Sequence, residues 1–486
     1  MTSSCSSALF PLIRTCPLPH PSVFTLYHRI APSGCPSFLL ESGKGPLGIA
    51  QYSFFGSRPY LTFVAQEDSY DLHTADSSTH NHGDPLCALF HLLKPALTPR
   101  APNLPPFVGG AVGCLSYDLV RRFETLPDLT RNDLSFPDMA FLFFDLVAVV
   151  DHATHLLHMI FTPPPQRLLS ESHQALLQEG EHRLADFESR LNTAIRSLPD
   201  TGEIIGASTI QANQSRTDYI HLVQRCQSFI RAGDIYQANL SHRFTIDYDP
   251  GSGSTHGQRG TSLFERIRRT NPSPFSGLLV MEDFTLVSSS PERLVRLRDN
   301  HASTRPIAGT HPRGLTKTED QSLRDNLRRD GKERAEHLML VDLARNDLGR
   351  VCEYGSILLE EFMTIEQYSH VTHLVSDVQG ILRPPYTGLD LLKAVFPGGT
   401  ITGAPKIRCM EIIEELEPVR RGPYTGAMGY VSLTGDLDFN ILIRTLLLTR
   451  HTGYLQVGAG IVADSQPDRE YEETLHKAQA LLKALQ

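Results

Sequence analysis

The sequence predicts an α+β fold in which strands from both halves of the chain share one core. Three features carry this. From residue 216 onward, segments with apolar residues at helical spacing alternate with short β-like runs. The first half places aromatic and β-branched runs between glycine and proline turns. No internal repeat divides the 486 residues, a length sufficient for one large core or two to three domains.

In chain order, residues 1–25 read as a loose N-terminal tail, with prolines and no signal-peptide pattern. Residues 26–160 read as an N-terminal region. Within it, "PSFLLESGKGPLGIAQYSFFGSRPYLTFVA" (36–65) gives short strands between glycine turns, and a proline-rich loop follows. "VGGAVGCLSYDLVRRF" (108–123) gives a small-residue stretch and then a helix. "MAFLFFDLVAVVDHATHLLHMIF" (139–161) reads as two core strands around a turn, and Asp145 argues against a membrane span there. Residues 161–215 read as an amphipathic helix and a linker. The region 216–486 opens with the helix "DYIHLVQRCQSFIRAG", closed by Gly233, and the strand "DIYQANLSHRF". "GSGSTHGQRG" (251–260) reads as a flexible insertion without core residues.

Composition narrows the function. The net charge of −9 argues against nucleic acid or an anionic membrane as the main partner. No apolar run reaches the ~20 residues that span a bilayer. The eight cysteines form no C-x-x-C pair and no metal-finger spacing, which suits a reducing compartment, so the cytoplasm is the expected location.

Chemistry concentrates in the second half. In "GKERAEHLMLVDLARNDLGRV" (331–351), Glu333 and Glu336 stand three apart on one helix face. In the helical segment "DREYEETLHKAQALLKAL" (468–485), Glu470 and Glu473 repeat the spacing. Two such pairs can jointly hold one hard divalent cation such as Mg²⁺. Acidic pairs of this kind also occur on solvated, salt-bridged faces. "FPGGTITGAPKIRCMEIIEELEP" (396–418) joins a glycine-rich turn bearing Thr400 to a helix opened by Lys406. A helix start of this kind suits an anion, although a hairpin turn before a capped helix gives the same pattern. It lacks the spacing of a phosphate-binding nucleotide loop. Gly458 and Gly460 in "LQVGAGIVADS" end a β run and permit close backbone approach, or mark a turn. Arg444 is the lone charge in "NILIRTLLL", paired internally or offered to a carboxylate. His373 reads as a satisfied core histidine or as a site residue.

Together "PIAGTHPRG", "EHLMLVDLARNDLGRV", "HLVSDVQG", the 396–418 segment, "GAGIVADSQP" and "EYEET" resemble the chorismate-utilising enzymes. That family includes anthranilate synthase component I, aminodeoxychorismate synthase component I, and the isochorismate and salicylate synthases. The resemblance is strong over 216–486. "SFLLESG" and "FVGGAVGCLSYD" resemble the N-terminal region of the first two members.

The resemblance implies a two-layer β-sandwich core wrapped by helices. It implies Mg²⁺ held directly by Glu336 and Glu473, with Glu333 and Glu470 behind them, and chorismate held by its ring carboxylate on the metal. Arg444, Tyr424 and the Gly458–Gly460 backbone match positions that grip substrate carboxylates. Thr400 and His373 match residues near the ring and its departing hydroxyl, with His373 as a proton donor. Lys406 matches the family's Gly-Ala-Pro-Lys lysine. Gln237 stands where water-adding members carry a lysine base, which implies ammonia as nucleophile. "NPSPFSGLL", "GGTITGAPK" and "IIEELEPVRRGPYTGAMGY" resemble aminodeoxychorismate synthases, which place ammonia at C4 for 4-aminobenzoate and folate synthesis. Ala308 points instead to anthranilate synthase, because many aminodeoxychorismate synthases carry a covalently reacting lysine there. Leu40, Glu41 and Ser42 resemble a tryptophan pocket, which also leaves a non-catalytic tryptophan-sensing or scaffold paralogue as a third reading. Cys114 lacks a G-x-C-x-G glutaminase turn, so ammonia is expected from a separate glutamine amidotransferase subunit.

Overall fold

Asp145 shows how the chain builds two layers. Residues 139–161 form three strands, Met139–Phe144, Leu146–Asp151 and Leu156–Phe161, where the apolar run predicts two. The strand before Asp145 belongs to one sheet and the two after it to the other. The lone carboxylate marks a corner. It accepts hydrogen bonds from both terminal nitrogens of Arg183 at 2.6 and 2.7 Å, which makes its burial tolerable.

The computed structural model describes residues 10–32, 34–43, 49–93, 104–193, 207–248, 254–314, 316–367 and 371–485. The first sheet runs Leu12–Pro17, Leu156–Phe161, Leu146–Asp151, Tyr52–Ser57, Ser37–Glu41, Phe275–Val280, Thr285–Ser290, Thr445–Leu448, Thr452–Ile461, Gln237–Tyr248, Ala207–Ala212. The second runs Ile307–Pro312, Val371–Ile381, His301–Thr304, Arg293–Arg298, Leu437–Ile441, Ala427–Ser432, Gly110–Leu115, Met139–Phe144, Leu61–Gln66, Ser69–His73, Ser78–His82. Their strands pair antiparallel. Both sheets join the two halves of the chain: Ser37–Glu41 pairs with Phe275–Val280, and Gly110–Leu115 with Ala427–Ser432.

The sheets pack face to face over a core that includes Phe38, Phe54, Val112, Leu142, Phe144 and Leu286. The Phe38 and Phe144 rings lie 4.8 Å apart across this layer. Helices cover the outer faces. Val23–Ile30, His173–Asn192, His256–Thr270 and Pro467–Leu485 bury apolar residues on the first sheet. Pro85–Leu93, Gly331–Gly349 and Gly388–Val395 do so on the second. The expected sandwich wrapped by helices is therefore present.

Two expectations need correction. Residues 10–25 are not a loose tail: Leu12–Pro17 pairs with Leu156–Phe161 at a sheet edge, and a helix starts at Val23. Residues 1–9 lie outside the described residues. Nor is 251–260 a flexible insertion throughout, because its described part begins the helix His256–Thr270. Thr255 and Gln258 cap that helix reciprocally. Its glycines serve close contact, since a Cβ at Gly260 would stand 2.4 Å from the Thr285 side chain.

One buried ion pair ties the cleft end together. Arg421 and Glu417 are 1% and 4% exposed. Arg421 donates to Glu417 at 2.7 and 2.9 Å, to the carbonyls of Ile401 and Asn239 at 3.0 and 2.7 Å, and to Thr425 Oγ1 at 3.3 Å. Replacing Arg421 by Met strands the Glu417 charge, which costs about 3–5 kcal/mol in such pairs. Arg421→Met should lower the melting temperature sharply, and adding Glu417→Leu should recover part of it. A single variant that melts with the wild type would show that the pair carries no such load.

Candidate active site

The strand Gln237–Tyr248 organises the site. It pairs with Thr452–Ile461, which sets Asn239 opposite Gly460 and Ser241 opposite Gly458. Gly458 and Gly460 therefore lie in the last four residues of a strand that ends at Ile461. Their lack of a side chain has a steric cause. A Cβ at Gly460 would stand 2.5 Å from Gln237 Nε2, and one at Gly458 2.7 Å from both Asn239 Oδ1 and the Tyr424 hydroxyl.

The acidic helices meet this strand pair. Gly331–Gly349 packs on the second sheet and Pro467–Leu485 on the first. Gln237 Nε2 donates to Glu336 Oε1 at 2.9 Å. Lys477 bridges Glu473 Oε1 at 2.7 Å and the Gly458 carbonyl at 3.0 Å. Burial raises the Glu470 carboxyl above its usual range, and the Glu473 charge raises it further, against a hydrogen bond from Ser465 and the charges of Lys477 and Lys332. Lys332 belongs to the other acidic helix. Glu333 reaches Gly309, at an irregularity in the strand Ile307–Pro312, where φ is +70° and a Cβ would stand 2.9 Å from Glu333 Oε2.

This donor set suits a hard cation: every oxygen is a carboxylate's, and the Glu470–Glu473 repulsion is what a cation would offset. Among the described residues, no three His, Cys, Asp or Glu side chains are gathered closely enough to hold an ion unaided.

A second cluster lies beside the Gly399–Ile401 turn. Thr400 Oγ1 donates to Glu292 Oε1 at 2.7 Å. Burial pushes the Glu292 carboxyl up to about 7, against the Thr400 hydroxyl, the Ile307 N–H and the Arg444 charge. Arg444 sits at φ +51° between Leu437–Ile441 and Thr445–Leu448, a backbone region costly for a non-glycine residue. Burial lowers its pKa, and Glu292 opposes that shift. His373 is 3% exposed on Val371–Ile381. Burial, then Arg444, pushes it down to about 4, against a hydrogen bond with the Gly309 backbone. That direction favours the neutral imidazole, whereas burial favours the protonated form of Glu292, a residue the sequence does not single out. Its signal was a lone carboxylate in "SSSPERL" (288–294), where Ser288, Ser289 and Ser290 are all buried.

The clusters are joined through the turn: Ala404 pairs with Gln237, and the Asn239 N–H donates to the Thr402 carbonyl at 2.9 Å. Tyr424 is buried beside Arg421 and precedes Thr425, itself at φ +60°. Ala308 is buried on Ile307–Pro312, next to Gly309. Lys406 hydrogen-bonds Asp347 at 2.6 Å and the Val395 carbonyl at 3.1 Å, pinning three helices together. Leu40, Glu41 and Ser42 line a separate cavity of about 90 Å³ with Tyr52, Phe54 and Met428. Glu41 is held there by Arg268 Nη2 and Nε at 2.6 and 2.7 Å. Cys114 is buried in a strand and reads as core. Among the described residues, no helix is long and apolar enough to cross a membrane.

The family described as chorismate binding enzyme matches residues 36–483. Anthranilate synthase component 1 of Thermus thermophilus is 44% identical over 463 residues, covering 95% of each chain. Aminodeoxychorismate synthase component 1 of Bacillus subtilis is 40% identical over 482 residues, covering 98% of this chain and 97% of that one. The crystal structure of anthranilate synthase component I from Streptococcus pneumoniae superposes with a TM-score of 0.76 at 32% identity, covering 89% of this chain and 92% of that one. A match that runs through both sheets and both acidic helices leaves one conclusion, that the chain belongs to the chorismate-binding enzyme family.

Proposed function

We propose that the chain aminates chorismate to 4-amino-4-deoxychorismate, using ammonia from a separate glutamine amidotransferase subunit. The observation that carries amination is the Gln237 carboxamide, which donates to Glu336 at 2.9 Å. A carboxamide does not take up a proton near neutral pH, so it cannot activate water, whereas free ammonia attacks without prior deprotonation. Glu292 is the proton donor to the departing hydroxyl, because burial keeps it protonated to about pH 7. Thr400 holds that carboxyl in place. Arg444 and Tyr424 with the Gly458–Gly460 backbone are the grips for substrate carboxylates. Glu336 and Glu473, with Glu333 and Glu470 behind them, would hold Mg²⁺, whose charge would offset theirs and attract the substrate's ring carboxylate.

The 4-amino product is favoured by "NPSPFSGLL" and "GGTITGAPK" and by the Bacillus subtilis relative. A second reading, anthranilate plus pyruvate, is favoured by Ala308, whose buried methyl leaves no nucleophile at that position, and by the Thermus thermophilus relative.

Incubation of the purified chain with chorismate, Mg²⁺ and ammonium should yield 4-aminobenzoate once a lyase is added. Anthranilate would select the second reading, and no chorismate consumption would select a non-catalytic role. Glutamine without a partner should support no product. Glu336→Gln and Glu473→Gln should each cut turnover at limiting Mg²⁺ by about 10²-fold or more, in line with loss of an electrostatic catalytic contact; wild-type rates there would refute the metal assignment. At fixed free ammonia, kcat/KM should fall as pH rises through about 7, where Glu292 loses its proton. Glu292→Gln should be nearly inactive, and any residual rate should lack that alkaline limb.

A further inference from the structure

Two buried amide oxygens on the strand Gln237–Tyr248 have no hydrogen-bond partner among the described residues. They are Gln237 Oε1 and Asn239 Oδ1. Their residues are 5% and 9% exposed, so burial withholds solvent from these oxygens at a cost that native structures normally avoid. Gln237 and Asn239 stand two apart on one strand, and their side chains therefore share a face. That face looks onto Gly458 and Gly460, where any side chain would collide with these same amides. The orientation of Gln237 is set, since its Nε2 is committed to Glu336. Asn239 is held at its backbone from both sides, by the Thr402 carbonyl and by Arg421.

We propose that Gln237 Oε1 and Asn239 Oδ1 form the seat for the ammonia nucleophile, and that Asn239 is a specificity-determining residue for it. This rests on the amination reading above. Ammonia carries three N–H donors and one lone pair. Two carbonyl-type acceptors take two N–H groups and leave the lone pair pointing away from the amides, toward the substrate. Water can fill the seat, but neither amide accepts the proton that water must lose.

The test separates the two substrates. KM for ammonium and KM for chorismate are measured with ammonium chloride at fixed pH, for the wild type, Asn239→Leu and Asn239→Asp. Asn239→Leu removes the acceptor at nearly constant size. It should raise KM for ammonium about 3- to 10-fold, the worth of one hydrogen bond, with KM for chorismate within about twofold. Asn239→Asp keeps an oxygen there and should restore KM for ammonium. If Asn239→Leu does not fold, Asn239→Ser withdraws the acceptor with less change in polarity and should show the same rise. An unmoved KM for ammonium, or a rise in KM for chorismate alone, would overturn the seat while leaving amination intact. Absence of any aminated product from the wild-type chain would overturn both.

Discussion

The buried guanidinium of Arg421 is the constraint on which the cleft depends. A full charge without solvent is tolerable only when paired and fully hydrogen-bonded. Arg421 meets that condition with Glu417, and its remaining hydrogens go to two carbonyls and a hydroxyl. The carbonyls it takes belong to the glycine-rich turn beside Thr400 and to the strand bearing Gln237 and Asn239. The hydroxyl it takes belongs to Thr425, beside Tyr424. One side chain thus fixes the spacing of three segments distant in sequence. Glu417 extends the network, accepting from the Ser241 N–H and hydroxyl at 2.8 Å each.

Within that frame, burial divides acid from base. Glu292 and His373 are both buried near Arg444, yet their protonation goes opposite ways. Desolvation disfavours whichever form is charged, so it keeps the carboxyl protonated and the imidazole bare. The cationic Arg444 holds back the first shift and adds to the second. The acidic helices meet the opposite problem, since Glu470 is raised by burial and by a like charge, against a Ser465 hydrogen bond and two lysines.

The helices of the site were legible in the sequence, because their apolar period and their i, i+3 carboxylates are local. The sandwich was legible only through family resemblance, because its decisive pairings join residues such as Leu39 and Leu278. Asp145 illustrates the limit: period-2 reasoning registers a break in an apolar run but not that the chain changes layer there. Gly257 and Gly260 were misread as signs of flexibility, since the surfaces that close on them come from Gly34, Val280 and Thr285. Glu292 and Asn239 escaped notice for a related reason. What marks them is burial and the lack or choice of a partner, and neither is a property of neighbouring letters.

The sharing of both sheets between the halves has a consequence for biogenesis. Ser37–Glu41 leaves the ribosome early but acquires its Phe275–Val280 neighbour only after roughly 240 more residues, some 10–50 s at ~5–20 residues per second. Gly110–Leu115 waits longer still for Ala427–Ser432. Through that interval, these buried strands have unsatisfied edges, the condition under which nascent chains associate wrongly. The architecture that brings two distant acidic helices to one cleft therefore also makes the nascent chain a natural client for chaperones.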